Sequence, residues 1–186
     1  MIDMPNTSDL LIAPPGMPDL RFRKSVLMIT HIKTPTGPIA LCLNKPTTHT
    51  LSEATRELDL DLNLNFPLYW GGPVAPGTIW MMHSMDWQIP GTMSVGEGLG
   101  LTSSLEMFHC LADADTPKHF KLFFGFCSWN HGQLEAELKG SPPWSKQNSW
   151  LVAKNPGVDW VFETPEDHVW EQATQISARE AVNSWI

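Results

Sequence analysis

Cys127 and His131 stand four residues apart in Cys127-Ser128-Trp129-Asn130-His131, a spacing that can bring a thiolate and an imidazole onto one metal or set a nucleophile beside its base. A structural zinc site takes about four ligands, and the chain has neither a CxxC pair nor a second CxxxH run to complete one. The expectation is that no metal and no other cofactor is bound. A catalytic imidazole would also need a third group to orient it and an oxyanion hole. No Gly-x-Ser-x-Gly elbow marks a serine nucleophile. A hydrolase or transferase using Cys127 or Ser25 with a nearby histidine is therefore the alternative reading, and Cys127 reads first as a small core thiol.

The remaining motifs narrow the chemistry further. Gly71-Gly72-Pro73-Val74 and Gly96-Glu97-Gly98-Leu99-Gly100 lack the Lys and Ser/Thr of a phosphate-cradling loop and the G-x-G-x-x-G spacing of a dinucleotide fold. ATP and NAD are not implied, and Gly71-Gly72 reads as a tight turn. Gly125 to Glu135 joins a strongly apolar stretch to a helix through a loop with two glycines. Free amides at such a junction can receive an anion or polar ligand, while Glu135 can equally serve to complement the helix dipole.

These residues must be positioned by short elements. Leu10–Ala13, Val26–Ile32, Ile39–Leu43, Thr78–His83, Phe120–Phe126, Ser149–Val152 and Trp160–Phe162 read as strands. Phe120–Phe126 is apolar on both faces and belongs mid-sheet, and 33–38, rich in Pro and Gly, reads as a hairpin loop. Thr50-Leu51-Ser52-Glu53 and Ser103-Ser104-Leu105-Glu106 carry capping-box signatures, the second opening a helix with Leu105, Phe108 and Leu111 on one face. Thr164-Pro165-Glu166-Asp167 begins another helix, and Ser177-Ala178-Arg179-Glu180 a short C-terminal one. Irregular interleaving of strands and helices favours α+β over a doubly wound sheet.

At 186 residues the chain fits one domain, 1–186. Apolar residues make up 42% and charged ones 17%, which excludes wholesale disorder. The formal charge is −8, and the densest basic cluster is Arg21, Arg23 and Lys24. Direct nucleic-acid binding, which leans on cations displacing counterions, is disfavoured. No signal peptide or apolar run of about 20 residues is present, and three cysteines, an odd number with no repeated spacing, suit a reducing compartment. These point to a cytoplasmic location with no membrane attachment.

A series of short blocks, weak singly and specific in this order, resembles the bacterial AlgH/YqgE family. They are Leu11-Ile12-Ala13-x-Pro15, Asp19-x-Arg21-Phe22-x-x-Ser25-Val26, Leu43-Asn44-Lys45-Pro46 and Tyr69-x-Gly71-Gly72-Pro73-Val74. Leu101-Thr102-x-Ser104-Leu105, Gly125-Phe126-x-x-Trp129-x-x-Gly132-Gln133-Leu134-Glu135 and Asn148-Ser149-Trp150-Leu151 complete the series. The resemblance implies an α+β single domain with a branched or barrel-like sheet flanked by helices. It also implies a cytosolic protein of unsettled biochemical role, in a family whose eponymous member is described as a transcriptional regulator. The chain departs from the family pattern at His31-Ile32, where relatives carry Glu-His, at Ala40 in place of Gly, and at Lys45 in place of Arg. A shared acid/base centre at that Glu-His pair is thereby ruled against.

The leading expectation is a non-enzymatic regulatory domain that binds a small polar or anionic ligand or a protein partner; regulation of transcription, directly or indirectly, is a further alternative. Of the motif residues, Arg21, Ser25, Asn44, Lys45, Ser104, Gln133 and Glu135 can best line a polar cleft. Arg21 and Lys45 would supply charge, Asn44 and Gln133 amides, Ser25 and Ser104 hydroxyls, and Glu135 a cap or an acceptor. The test of that set is whether the side chains converge on one open pocket.

Overall fold

The computed structural model describes residues 4–57, 62–141 and 150–185. Strands β1 (Leu10–Ile12), β2 (Val26–His31) and β3 (Ile39–Cys42) form an antiparallel meander, the 33–38 loop making the expected hairpin between the last two. Next come β4 (Pro46–Thr50), helix α1 (Leu51–Glu57), β5 (Pro67–Trp70), β6 (Val74–Ser84), β7 (Met93–Ser94) and β8 (Leu99–Thr102). Helix α2 (Leu105–Ala112), β9 (Phe120–Ser128), α3 (Gln133–Lys139), β10 (Leu151–Ala153), α4 (Val158–Glu163) and α5 (Glu166–Asn183) complete the order. The strands curl into a half-barrel in the order β10-β1-β2-β3-β9-β6-β8-β7, with β4 and β5 branching from β9. This is the α+β architecture expected from the irregular interleaving.

Both faces of the sheet are covered, which explains the near-continuous apolar runs. Successive side chains on a strand point to opposite faces. Leu10, Ile12, Val26 and Met28 join one core with Val161, Val169 and Ala173 of α4 and α5. The residues between them, Leu11, Leu27 and Ile29, pack into a second core with Leu134 and Leu138 of α3. A third core holds Leu51, Met107, Phe108 and Leu111 beneath α1 and α2. Phe120–Phe126 is indeed central: β9 pairs with β3, β5 and β6.

The two capping signals hold. The Thr50 N–H donates to Glu53 Oε2 at 2.9 Å while Glu53 N–H reaches Thr50 Oγ1 at 3.4 Å, and Ser104 Oγ accepts from the Met107 N–H at 3.4 Å. Leu105, however, is 63% exposed, so α2 buries Met107 with Phe108 and Leu111. Other expectations are corrected. Trp160–Phe162 is helical, within α4, where Val161 is buried and the Trp160 indole donates to Gln172 Oε1 at 2.9 Å; packing on α5 overrides the strand propensity of aromatic and β-branched residues. Ser177 starts no helix, because α5 runs unbroken from Glu166 after Pro165. Ser177 Oγ instead donates to the Val152 carbonyl at 2.8 Å, and the Glu180 carboxylate accepts from the Lys154 N–H at 3.2 Å, so α5 covers the outer side of β10. Ser149, expected in the strand before Ala153, lies outside the described residues, as does Asn148.

Gly71-Gly72 is not a simple turn but a backbone crossing. A Cβ on Gly71 would lie 2.3 Å from the Gly125 carbonyl oxygen, and one on Gly125 would lie 2.4 Å from that of Gly72. The Gly71 N–H donates to the Phe124 carbonyl and its own carbonyl accepts from the Cys42 N–H, both at 2.9 Å. Here β9 exchanges one neighbour for another: β5 runs parallel beside Leu122–Phe124, and β3 antiparallel beside Cys127 and Ser128. On the other edge β6 bulges between Val74 and Ile79, facing the same point.

Gly125 and Gly132 separate close approach from backbone freedom, since both have positive φ (+67° and +75°) but only Gly125 has neighbours within reach of a Cβ. Gly132→Ala should cost about 1–2 kcal/mol, the left-handed penalty alone. Gly125→Ala should cost about 2–3 kcal/mol more, since backbone must also shift. Urea denaturation of both variants measures the difference, and equal losses would contradict the crossing as a constraint.

Candidate functional site

Arg21 sits in a single 3-10 turn, Leu20–Phe22, which Asp19 caps by accepting the Arg21 N–H at 3.0 Å. The same carboxylate grips the guanidinium, with Nη2 to Oδ2 at 2.7 Å and Nε to Oδ1 at 3.1 Å. Those hydrogen bonds hold the Asp19 carboxyl below its usual range and raise the Arg21 guanidinium. Phe22 pins the turn to the second core, its ring 5.5 Å from that of Trp70. Lys45, entering β4, extends Nζ to the Arg23 carbonyl at 2.6 Å, and its own carbonyl accepts from the Trp70 N–H at 2.9 Å.

Arg21, Lys45, Pro46, Thr47 and Trp70 thus surround an open hollow of about 330 Å³. Arg21 keeps 60% of its side chain exposed, and its Nη1 has no protein acceptor among the described residues. The guanidinium donors that Asp19 leaves free and the Lys45 ammonium can together hold a carboxylate or phosphate oxygen. Arg21 and Lys45 come from segments far apart in sequence, and the bond from Lys45 Nζ to the Arg23 carbonyl ties β4 to the chain just after the Arg21 turn.

Of the seven sequence-predicted residues, only Arg21 and Lys45 line this hollow. Asn44 is scaffolding: Oδ1 accepts the Val26 N–H at 2.9 Å and Nδ2 donates to the Lys24 carbonyl at 2.8 Å, stitching β2 to the end of β3. Ser25 is fully buried, with no hydrogen-bond partner for its hydroxyl. Ser104 caps α2 over the third core. Gln133 closes its own helix start, accepting the Asn130 N–H at 3.0 Å and donating to Glu137 Oε1 at 3.1 Å. Glu135 pairs with Lys139 on the solvent side of α3. The expected single cleft of seven is therefore replaced by a two-cation hollow, because buried amides and hydroxyls are selected equally by the need to satisfy backbone.

Sequence reasoning missed Glu137 and Trp70. Glu137 is 3% exposed, and its Oε2 accepts the indole N–H groups of Trp129 and Trp150, both at 3.0 Å. The available signal was its place one turn after Gln133 on the face shared with Leu134 and Leu138. Trp70 was hidden in an aromatic pair with no charge beside it in sequence, its cations arriving from residues 21 and 45.

The thiols are not set up as nucleophiles. Burial pushes Cys42 up to about 11. Cys127 is raised well above its ordinary value, by burial first and then by Cys42 nearby. The Cys127 thiol donates to the Gly71 carbonyl at 3.4 Å, and His131 Nε2 lies 2.8 Å from the Pro35 carbonyl, holding the hairpin loop instead of the thiol. Activated cysteines sit in part-exposed electropositive surroundings. Among the described residues, the group able to share a cation lies elsewhere: His119, Asp159 and Glu163, whose ligand atoms are all within 4.8 Å of one another. No helix among the described residues is long and apolar enough to cross a membrane.

Thiol labelling at pH 8 reads out this environment directly. Cys110, only partly buried, should react first, and Cys42 and Cys127 at least about a hundredfold more slowly until urea unfolds the chain. Prompt modification of Cys127 in the folded protein would restore the thiol mechanism.

Comparison with known proteins fits this geometry. A family profile described as AlgH-like matches residues 10–180. A UPF0301 protein of Burkholderia ambifaria is 33% identical over 177 residues, covering 90% of this chain and 85% of the relative. Another, of Methylococcus capsulatus, is 29% identical over 170 residues, covering 89% and 86%. The solution structure of the AlgH protein from Pseudomonas aeruginosa superposes with a TM-score of 0.74 at 24% identity, covering 95% of this chain and 92% of that one. A crystal structure of a Corynebacterium diphtheriae protein follows with a TM-score of 0.66 at 19% identity over 91% and 86%. The half-barrel is thus a fold shared by distant bacterial proteins, and the chain, matched along nearly its whole length, belongs to the AlgH-like family.

Proposed function

We propose that the protein is a binding domain, not an enzyme, and that it recognises an anionic group, carboxylate or phosphate, of a small ligand or protein partner. The observation that carries this reading is that Arg21 and Lys45 line one open hollow with Trp70 in a molecule whose net charge is −8. In such a molecule the acidic surface repels anions, and a hollow lined by two cations is where the field is locally reversed and an anion can approach. Asp19 and the Arg23 carbonyl fix both side chains without occupying all their donors, so little rotamer entropy remains to be lost on binding. The two-cation hollow is too small for a DNA duplex, whose affinity rests on many phosphate contacts, and this favours a compact anion over direct transcriptional control.

Titration with inorganic phosphate and with a glutamate-rich peptide, followed by two-dimensional NMR at low and moderate salt, tests the reading. Binding should centre on 19–24, 45–47 and 70, weaken with added salt, and fall about tenfold or more in each of Arg21→Ala and Lys45→Ala. Folding stability should change by less than about 1 kcal/mol in Arg21→Ala, since its ion pair is solvent-exposed. No salt-sensitive shifts at these residues with either probe would end the proposal.

A further inference from the structure

A second cleft lies farther along β4 and β5 from the anion hollow, where β6 leaves its register. Val74 pairs with Phe126 and Ile79 with Phe124, so residues 75–78 of β6 stand opposite Gly125 alone. Ala75 in this excursion has φ +45°, a left-handed conformation that a residue ahead of proline rarely takes. Pro76 and Gly77 are exposed, and Phe124 beside them is only partly buried. With Leu68, Ile79 and the pair His49 and Glu53 they line a cavity of about 220 Å³. Leu68 and Ile79 belong to the third core and Phe124 packs against it, so the floor of the cleft is core left uncovered. At the mouth the His49 side chain is 67% exposed and that of Glu53 55%, so both can be reached from solvent. Glu53 Oε2 accepts the Thr50 N–H at 2.9 Å, and Oε1 has no protein donor among the described residues. His49 Nδ1 is 3.7 Å from Oε2, too far for a hydrogen bond between them, yet a nitrogen placed between the two can reach both at about 2.9 Å. The His49 ring meets the Phe124 ring edge-on with centres 6.2 Å apart, which ties the mouth to the floor.

We propose that this cleft binds a compact organic ammonium: one cationic nitrogen on an apolar body the size of a single ring. The nitrogen donates to the Glu53 carboxylate and to the acceptor nitrogen of the His49 imidazole. The body covers Leu68, Ile79 and Phe124, removing apolar surface that the fold leaves in water. Size follows from volume. An apolar cavity of about 150 Å³ takes a benzene ring, and the room here allows a ring with a short linker. Among the described residues no Lys or Arg lines the cleft, so it offers an anion no fixed cation. The net charge of −8 also draws cations toward the surface. The charge preference is opposite to that of the Arg21–Lys45 hollow, and the two sites stand or fall separately.

The probe is phenethylamine, titrated into the intact chain near neutral pH and followed by two-dimensional NMR. Shifts should centre on residues 49, 53–54, 68, 76–79 and 124. Phenethyl alcohol, with the same body and no charge, and ethylamine, with the charge and no ring, should each bind about tenfold or more weakly. Glu53→Gln should weaken the amine about tenfold and leave phenethyl alcohol as in wild type. Glutamine still accepts the Thr50 N–H, so α1 keeps its start, and the three-ligand comparison on the wild-type chain needs no variant to fold. Inorganic phosphate should not displace the amine, which separates this cleft from the anion hollow. The proposal is overturned by phenethyl alcohol binding as tightly as the amine, by an unchanged amine affinity in Glu53→Gln, by displacement with phosphate, or by shifts centred away from the cleft.

Discussion

The contact between bare backbones at Gly71, Gly72 and Gly125 governs the architecture. A strand has two edges, and β9 gives one of them to β6 from Phe120 to Phe126. Its other edge is divided between β5 and β3, which arrive from different directions and run in opposite senses. The division is possible only where two chains can approach more closely than a Cβ allows, and three glycines meet that condition. From the branch follow the curl of the sheet, the separation of three cores around it, and the delivery of Trp70 to the position where Arg21 and Lys45 find it.

Much of the fold was legible because local rules were obeyed. The apolar runs at residues 10–13 and 26–32, the loop at 33–38, the central strand from Phe120 and both caps all declared themselves through periodicity and turn chemistry. What failed was instructive in physical terms. β4 and β8 are short and contain Pro46 or Gly100, so they carry little strand signal and exist because long-range partners supply their hydrogen bonds. Trp160–Phe162 has strand-forming side chains, yet three residues between Gly157 and Thr164 take the conformation that packs best against α5. Gly71-Gly72 announced unusual backbone but not its cause, since the carbonyl it must avoid is more than fifty residues away.

The candidate site was half legible for the same reason. Residue type alone does not separate a polar group facing solvent from one serving the scaffold. Asn44 and Gln133 spend their amides on backbone and on Glu137, and Ser104 spends its hydroxyl on a helix end. Arg21 and Lys45 are also tied, to Asp19 and to the Arg23 carbonyl, but their charge keeps them in contact with solvent, since burying it would cost several kcal/mol. Charge, then, was the better indicator of a solvent-reachable position, and Lys121 is an exception, its ammonium buried with Glu166 Oε1 at 3.7 Å and the Tyr69 ring centre at 5.0 Å.

The seal that α5 places along β10 has a consequence for how the molecule coexists with its own copies. An open β-sheet ends in a row of unpaired amides and carbonyls that invites strand addition from any neighbour. Here a serine hydroxyl and a glutamate carboxylate occupy that row, imitating the next strand with side chains. At the far end β7 is only two residues long, too short a template to recruit another chain. The half-barrel thus ends on both sides with little unpaired backbone for another strand to extend, without closing its cylinder.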